Sequence, residues 1–142
     1  MNDDWTGRAG DRLGDFVIER PLGRGGFKTV YATSNLSTTA NDWPARVAVC
    51  VPHAQDDEAR QLLANELRVV RTLDHPGIVR EFGLAEDGGV QFAVMELVDG
   101  QPLSAVLAAR GPLPLDEAIE IVRQVGEALD YAHEGLAIHR DI

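Results

Sequence analysis

Read from the amino terminus, the apolar positions first gather in short β-rich runs. Phe16-Val17-Ile18 leads to Pro21-Leu22-Gly23, and after Gly25-Gly26 a second run covers residues 27–31. Two such runs around a glycine turn predict a hairpin. Residues 33–45 are rich in Thr, Ser and Asn, end at Trp43-Pro44, and read as a surface loop. A third strand, Val-Ala-Val-Cys-Val, is predicted within 46–51 and closed by Pro52.

The spacing then changes. Asp56-Asp57-Glu58 puts acidic residues where a helix start favours them. Ala59, Leu63, Val70 and Leu73 follow at intervals that mark one helical face, up to the stop at Asp74-His75-Pro76-Gly77. Two more strands are predicted near 78–83 and 90–95, with a turn at Glu86-Asp87-Gly88-Gly89. A short helix near 103–109 precedes Gly111-Pro112. A long amphipathic helix near 115–134 presents Ala118, Val122, Val125, Leu129 and Ala132 on one face, with Gly135 as its cap. The order β-β-β-α-β-β followed by helices is an α+β arrangement. Residues 1–13, polar and glycine-containing, read as a loose tail.

Composition narrows the partners. The 142 residues are 44% hydrophobic and 25% charged, as in a globular domain, with a net charge of -10. That charge repels nucleic acid and anionic lipid, although a local nest of N–H groups can still bind a nucleotide. No apolar run approaches the roughly 20 residues of a membrane helix, and no secretory signal is visible, so a cytoplasmic location is expected. Cys50 is the only cysteine, which rules out an intrachain disulfide. His53 and His133 have no metal-ligand spacing, and no metal site is expected from these residues.

The residues that could carry chemistry are few. Gly23, Gly25 and Gly26 either ease a turn or let N–H groups approach phosphates. Glu66, three residues after Leu63 and four before Val70, falls on the face expected to be buried, where a carboxylate needs a cation. The alternative is a glutamate at the edge of that face, reaching water. His139-Arg140-Asp141 closes the chain but for Ile142.

The ordered set is more specific than its members. The glycine hairpin, the Val-Ala-Val strand, Glu66 on its helix, His75-Pro76-x-Ile78-Val79, Val94-Met95-Glu96 and His139-Arg140-Asp141 follow one another in sequence. In this the chain resembles the Ser/Thr protein kinases from residue 14 to residue 142. The resemblance implies a small lobe of five antiparallel strands and one helix, with hinge, over 14–98. The first helices of a larger lobe would occupy 99–142. It implies ATP as ligand and a protein as substrate. Gly23, Gly25 and Gly26 would cover the phosphates, Val30 and Ala48 would flank the adenine, and Met95 would be the gatekeeper. The hinge backbone of Glu96 to Val98 would hold the purine edge. Asp141 would accept the proton of the substrate hydroxyl.

Two departures stand out. The usual Val-Ala-Ile-Lys reads Val47-Ala48-Val49-Cys50, while Lys28, the one lysine of the chain, sits where the loop usually has a third glycine. Strand alternation puts Lys28 on the face of Val30 and Cys50 on that of Ala48. Lys28 is thus expected to fill the space Cys50 leaves and to meet Glu66 and the phosphates. The double change resembles the with-no-lysine kinases. The second departure lies after Asp141: the family's asparagine and Asp-Phe-Gly residues that hold Mg2+, its activation loop and its substrate-binding lobe are not among the 142 residues. A fragment inactive by itself is therefore expected. The alternatives are a non-catalytic nucleotide- or partner-binding module, or a subunit docking through 115–134 onto a separately encoded second lobe.

Overall fold

Alternation of buried and exposed residues decides which face of each strand packs. In the computed structural model, which describes residues 6–37, 42–135 and 137, six strands form one antiparallel sheet. They are β1 (Arg12–Leu13), β2 (Phe16–Arg24), β3 (Lys28–Asn35), β4 (Arg46–Pro52), β5 (Glu81–Asp87) and β6 (Val90–Met95), in the order β1-β2-β3-β4-β6-β5. Helix α1 (Asp57–Val70) lies between β4 and β5 in the chain, and α2 (Leu103–Arg110) and α3 (Leu115–Glu134) follow. The α+β class and the five expected strands are present. The sixth, β1, lies in the segment expected to be a loose tail. Its Leu13 is buried, Gly10 N–H donates to Ile18 O, and Ile18 N–H donates to Asp11 O. Backbone pairing with β2, rather than its own composition, orders this stretch.

The chain divides into two compact units: Met1–Thr72 with Arg80–Leu97, and Leu73–Val79 with Val98–Ile142. In the first unit the two sheet faces have different cores. Val47, Val49 and Val51 of β4 join Phe16, Ile18, Tyr31, Phe92 and Val94 in one. Cys50 and Ala93 join Leu63 and Leu67 of α1 in the other. Asp56 caps α1 by accepting from Ala59 N–H at 2.8 Å. Arg60 ties the same end to the β5–β6 hairpin through Glu86 and Gly89 O. Gly88 and Gly89, both at positive φ, form the two-residue turn of that hairpin.

The second unit explains why β5 starts later than the 78–83 expected. Residues 75–78 form a turn, with Ile78 N–H donating to His75 O. Tyr131 of α3 packs its ring 5.2 Å from that of His75 and accepts from Asp74 N–H. Arg110 and Glu117 pair α2 with α3 through two hydrogen bonds. The face of α3 expected to pack is only partly covered: Ala128 is buried, while Val122 and Val125 are exposed.

Phe92, 1% exposed and edge-on to Phe16, should be the costliest apolar side chain to truncate. Phe92→Ala is expected to lose about 3–5 kcal/mol in denaturant unfolding. Phe27→Ala, at the 83% exposed loop tip, should stay within about 0.5 kcal/mol of wild type. Equal losses for the two would contradict this core.

Candidate functional site

The glycine loop sits between β2 and β3. Gly23 pairs with Val30 and Arg24 with Thr29, and Gly25 N–H donates to Lys28 O at 2.9 Å. A register shift between Pro21 and Gly23 bends β2 just before the loop. None of Gly23, Gly25 and Gly26 has a positive φ. A Cβ on Gly23 or Gly26 would meet nothing within 4 Å, and one on Gly25 only Lys28 O at 3.5 Å. Neither the turn nor the packing therefore requires glycine here. The bare backbone leaves room for a group from outside the chain, as a phosphate-covering loop needs.

Lys28 begins β3 and points to α1. Its Nζ donates to Glu66 Oε1 at 2.6 Å. Cys50 pairs with Val30, so Lys28 reaches over the Cys50 position from the neighbouring strand. The expected meeting of Lys28 with Glu66 is present, and of the two readings of Glu66 the structure shows the one at the edge of the face: its side chain is 50% exposed and that of Lys28 41%. Leu63 and Leu67 take the buried face of α1 and leave Glu66 at its edge. Burial pulls the Lys28 ammonium down, but the hydrogen bond to Glu66, the Cys50 thiolate that forms at alkaline pH, and the charges of Glu66 and Glu81 outweigh it and hold its pKa above the ordinary lysine value. The Cys50 thiol is pushed up to about 11, by burial first and then by Glu66 and Glu81 against the pull of Lys28. At neutral pH it is a protonated filler rather than a nucleophile.

Two residues outside the expected set support Lys28. The backbone N–H of His53 donates to Phe27 O at 2.8 Å, and its ring Nε2 lies 2.9 Å from Thr29 Oγ1, so both neighbours of Lys28 are held. Glu81, at the start of β5, lines a small pocket with Lys28, Cys50, Glu66, Leu67 and Met95. Nothing in the local sequence pattern singles this position out. Only the pairing of Glu81 with Met95 brings it to the site.

The adenine-flanking candidates share one strand pair. Ala48 is buried and pairs with Ala32 and Met95, and Val30 packs against the Cys50 cluster. Glu96 N–H is already committed to Arg80 O at 2.8 Å, so a purine edge at this residue would have to use its carbonyl. Glu96 belongs to the first unit and Val98 to the second. Asp141 lies outside the described residues. Among the described residues no group of three or more His, Cys, Asp or Glu side chains could hold a metal ion, so Mg2+ finds no ligand set in them. Among them no helix is long and apolar enough to cross a membrane.

Comparison with known proteins identifies the family and the fold. The family model described as protein kinase domain matches residues 16–142. The serine/threonine-protein kinase PknH of Mycobacterium tuberculosis is 33% identical over all of this chain, which spans 22% of that protein. The serine/threonine-protein kinase PrkC of Bacillus subtilis is 33% identical over 91% of the chain, and 20% of that kinase is covered. The chain thus spans about a quarter or less of the length of these curated relatives. The crystal structure of the Mycobacterium tuberculosis PknI kinase domain superposes with a TM-score of 0.73 at 30% identity, over 96% of this chain and 55% of that one. Rad53 residues 1–466 in complex with AMP-PNP gives a TM-score of 0.73 at 34% identity, covering 90% of this chain and 33% of the other. With a family model matched over nearly its whole length and a sheet that superposes on solved kinase domains, the chain belongs to the protein kinase domain family.

Proposed function

We propose that this chain supplies the ATP-binding half of a Ser/Thr protein kinase domain, with Lys28 in the phosphate-binding role that the family usually gives to a lysine at position 50. The observation that carries the reading is the 2.6 Å contact of Lys28 with Glu66 above the Cys50 position. An exposed ion pair adds only about 0–1 kcal/mol to stability, so its value is positional. Glu66 fixes the ammonium at the mouth of the glycine loop, where it can neutralise a phosphate oxygen. The rearrangement resembles that of the with-no-lysine kinases.

The remaining roles follow the same pattern. Gly23, Gly25 and Gly26 would lie over the phosphates, Val30 and Ala48 against the adenine, and Met95, Glu96 and Val98 along its edge. Phosphoryl transfer to a protein hydroxyl would use Asp141 as proton acceptor. The described residues offer no ligand set for Mg2+, and no step is assigned to them through it. These 142 residues are therefore assigned nucleotide binding, and transfer is assigned to the whole domain. A non-catalytic nucleotide-binding module would share the binding step and differ only in lacking transfer.

Titration with a fluorescent ATP analogue tests this assignment. Lys28→Met should weaken binding roughly 10-fold or more, the scale of one charge-assisted hydrogen bond. Gly25→Val should weaken binding while leaving thermal stability unchanged, since the position is open. Wild-type affinity in both variants would overturn the assignment.

A further inference from the structure

Glu81 is the carboxylate of the pocket with no evident duty. Its Oε2 is buried without a hydrogen-bond partner among the described residues, an uncommon and costly state for a carboxylate oxygen. It lines the same small pocket as Lys28 and Glu66. The surrounding wall is apolar: Leu63 and Leu67 from α1, Ala93 and Met95 from β6. An apolar side chain at position 81 would suit this wall better, so the carboxylate calls for a cation.

We propose that Glu81 is a second anionic partner for Lys28, a positioning residue that faces the same pocket and competes with Glu66 for the ammonium. The inference deepens the proposed phosphate-binding role of Lys28, on which its functional meaning rests. The charged or titratable groups facing Glu81 are Lys28 from β3, Cys50 from β4 and Glu66 from α1. Burial, then the Glu66 charge, raise the Glu81 pKa, and Lys28 lowers it. The net shift is upward, so folding disfavours the ionised form of Glu81 relative to solvent. Any stability from this shift is present below the ordinary glutamate pKa and lost as pH rises through the raised one. Above that point an ionised Glu81 draws on Lys28. In competition with the two carboxylates, a phosphate meets a less available ammonium.

Because Lys28 is the only lysine, protein labelled with 13Cε/15Nζ-lysine gives a single side-chain signal. In Glu66→Gln that signal should still move in a pH step above the ordinary glutamate range. In Glu66→Gln/Glu81→Gln the step should vanish. Glu81→Gln alone should raise affinity for the ATP analogue several-fold at pH 8 and little at pH 5. If Gln at 81 impairs folding, Glu81→Leu carries the same comparison. An unchanged Lys28 titration when Glu81 is replaced, in both wild-type and Glu66→Gln backgrounds, overturns the proposal. The lysine signal needs no nucleotide. Failure of ATP binding with a Glu81-dependent signal would therefore overturn the functional assignment alone.

Discussion

On the proposed assignment of Lys28, a single ammonium group has to serve a pocket whose usual source of positive charge is missing. Position 50 is a buried cysteine, and the chain has one lysine, at the start of β3. The Lys28–Glu66 pair at 2.6 Å answers that constraint. It works because β3 and β4 are adjacent and in register, with Val30 opposite Cys50. A lysine two residues before Val30 therefore projects over the thiol. Everything that holds α1 against the sheet serves this contact: Leu63 and Leu67 in the core, the Asp56 cap, and the Arg60 bonds to Glu86 and Gly89. His53, braced against Phe27 and Thr29, holds the strand side of the same contact.

The balance of forces at the pocket is mostly electrostatic and only partly desolvated. Lys28 and Glu66 remain partly open to water, so solvent screens their attraction and the pair contributes little stability. Cys50 is on the dry side, where burial keeps the thiol protonated. Glu81 lies between these regimes, with one oxygen buried and without a partner among the described residues. The pocket brings one ammonium and two carboxyl groups together. On the proposed assignment, a phosphate would compete with both acidic groups for the same lysine.

Much of the framework was legible in the residues because local rules governed it. The glycine hairpin, the Val-Ala-Val-Cys-Val strand and the 115–134 helix follow from period and turn chemistry alone, and strand alternation is enough to set Lys28 toward the Cys50 side. What local pattern could not supply came from pairing between distant strands. The tail segment at Arg12–Leu13 is ordered by β2. The fifth strand starts at Glu81, not 78, because His75 to Ile78 fold into a turn. The spacing of Glu66 from Leu63 and Val70 leaves both a buried and an edge position open, and Leu67 decides between them by taking the buried face and leaving Glu66 at the rim. On α3 Ala128 is buried while Val122 and Val125 of the apolar face are exposed.

The most direct test of Lys28 as the phosphate-contacting cation uses an acyl phosphate of ATP, which transfers its acyl group to an amine held beside the phosphates. Lys28 is the only side-chain amine, so peptide mass spectrometry gives an unambiguous location. The predicted result is an adduct on Lys28 that excess ATP suppresses. An adduct confined to the chain terminus, or one on Lys28 that ATP does not protect, would contradict the relocation of the lysine to this site.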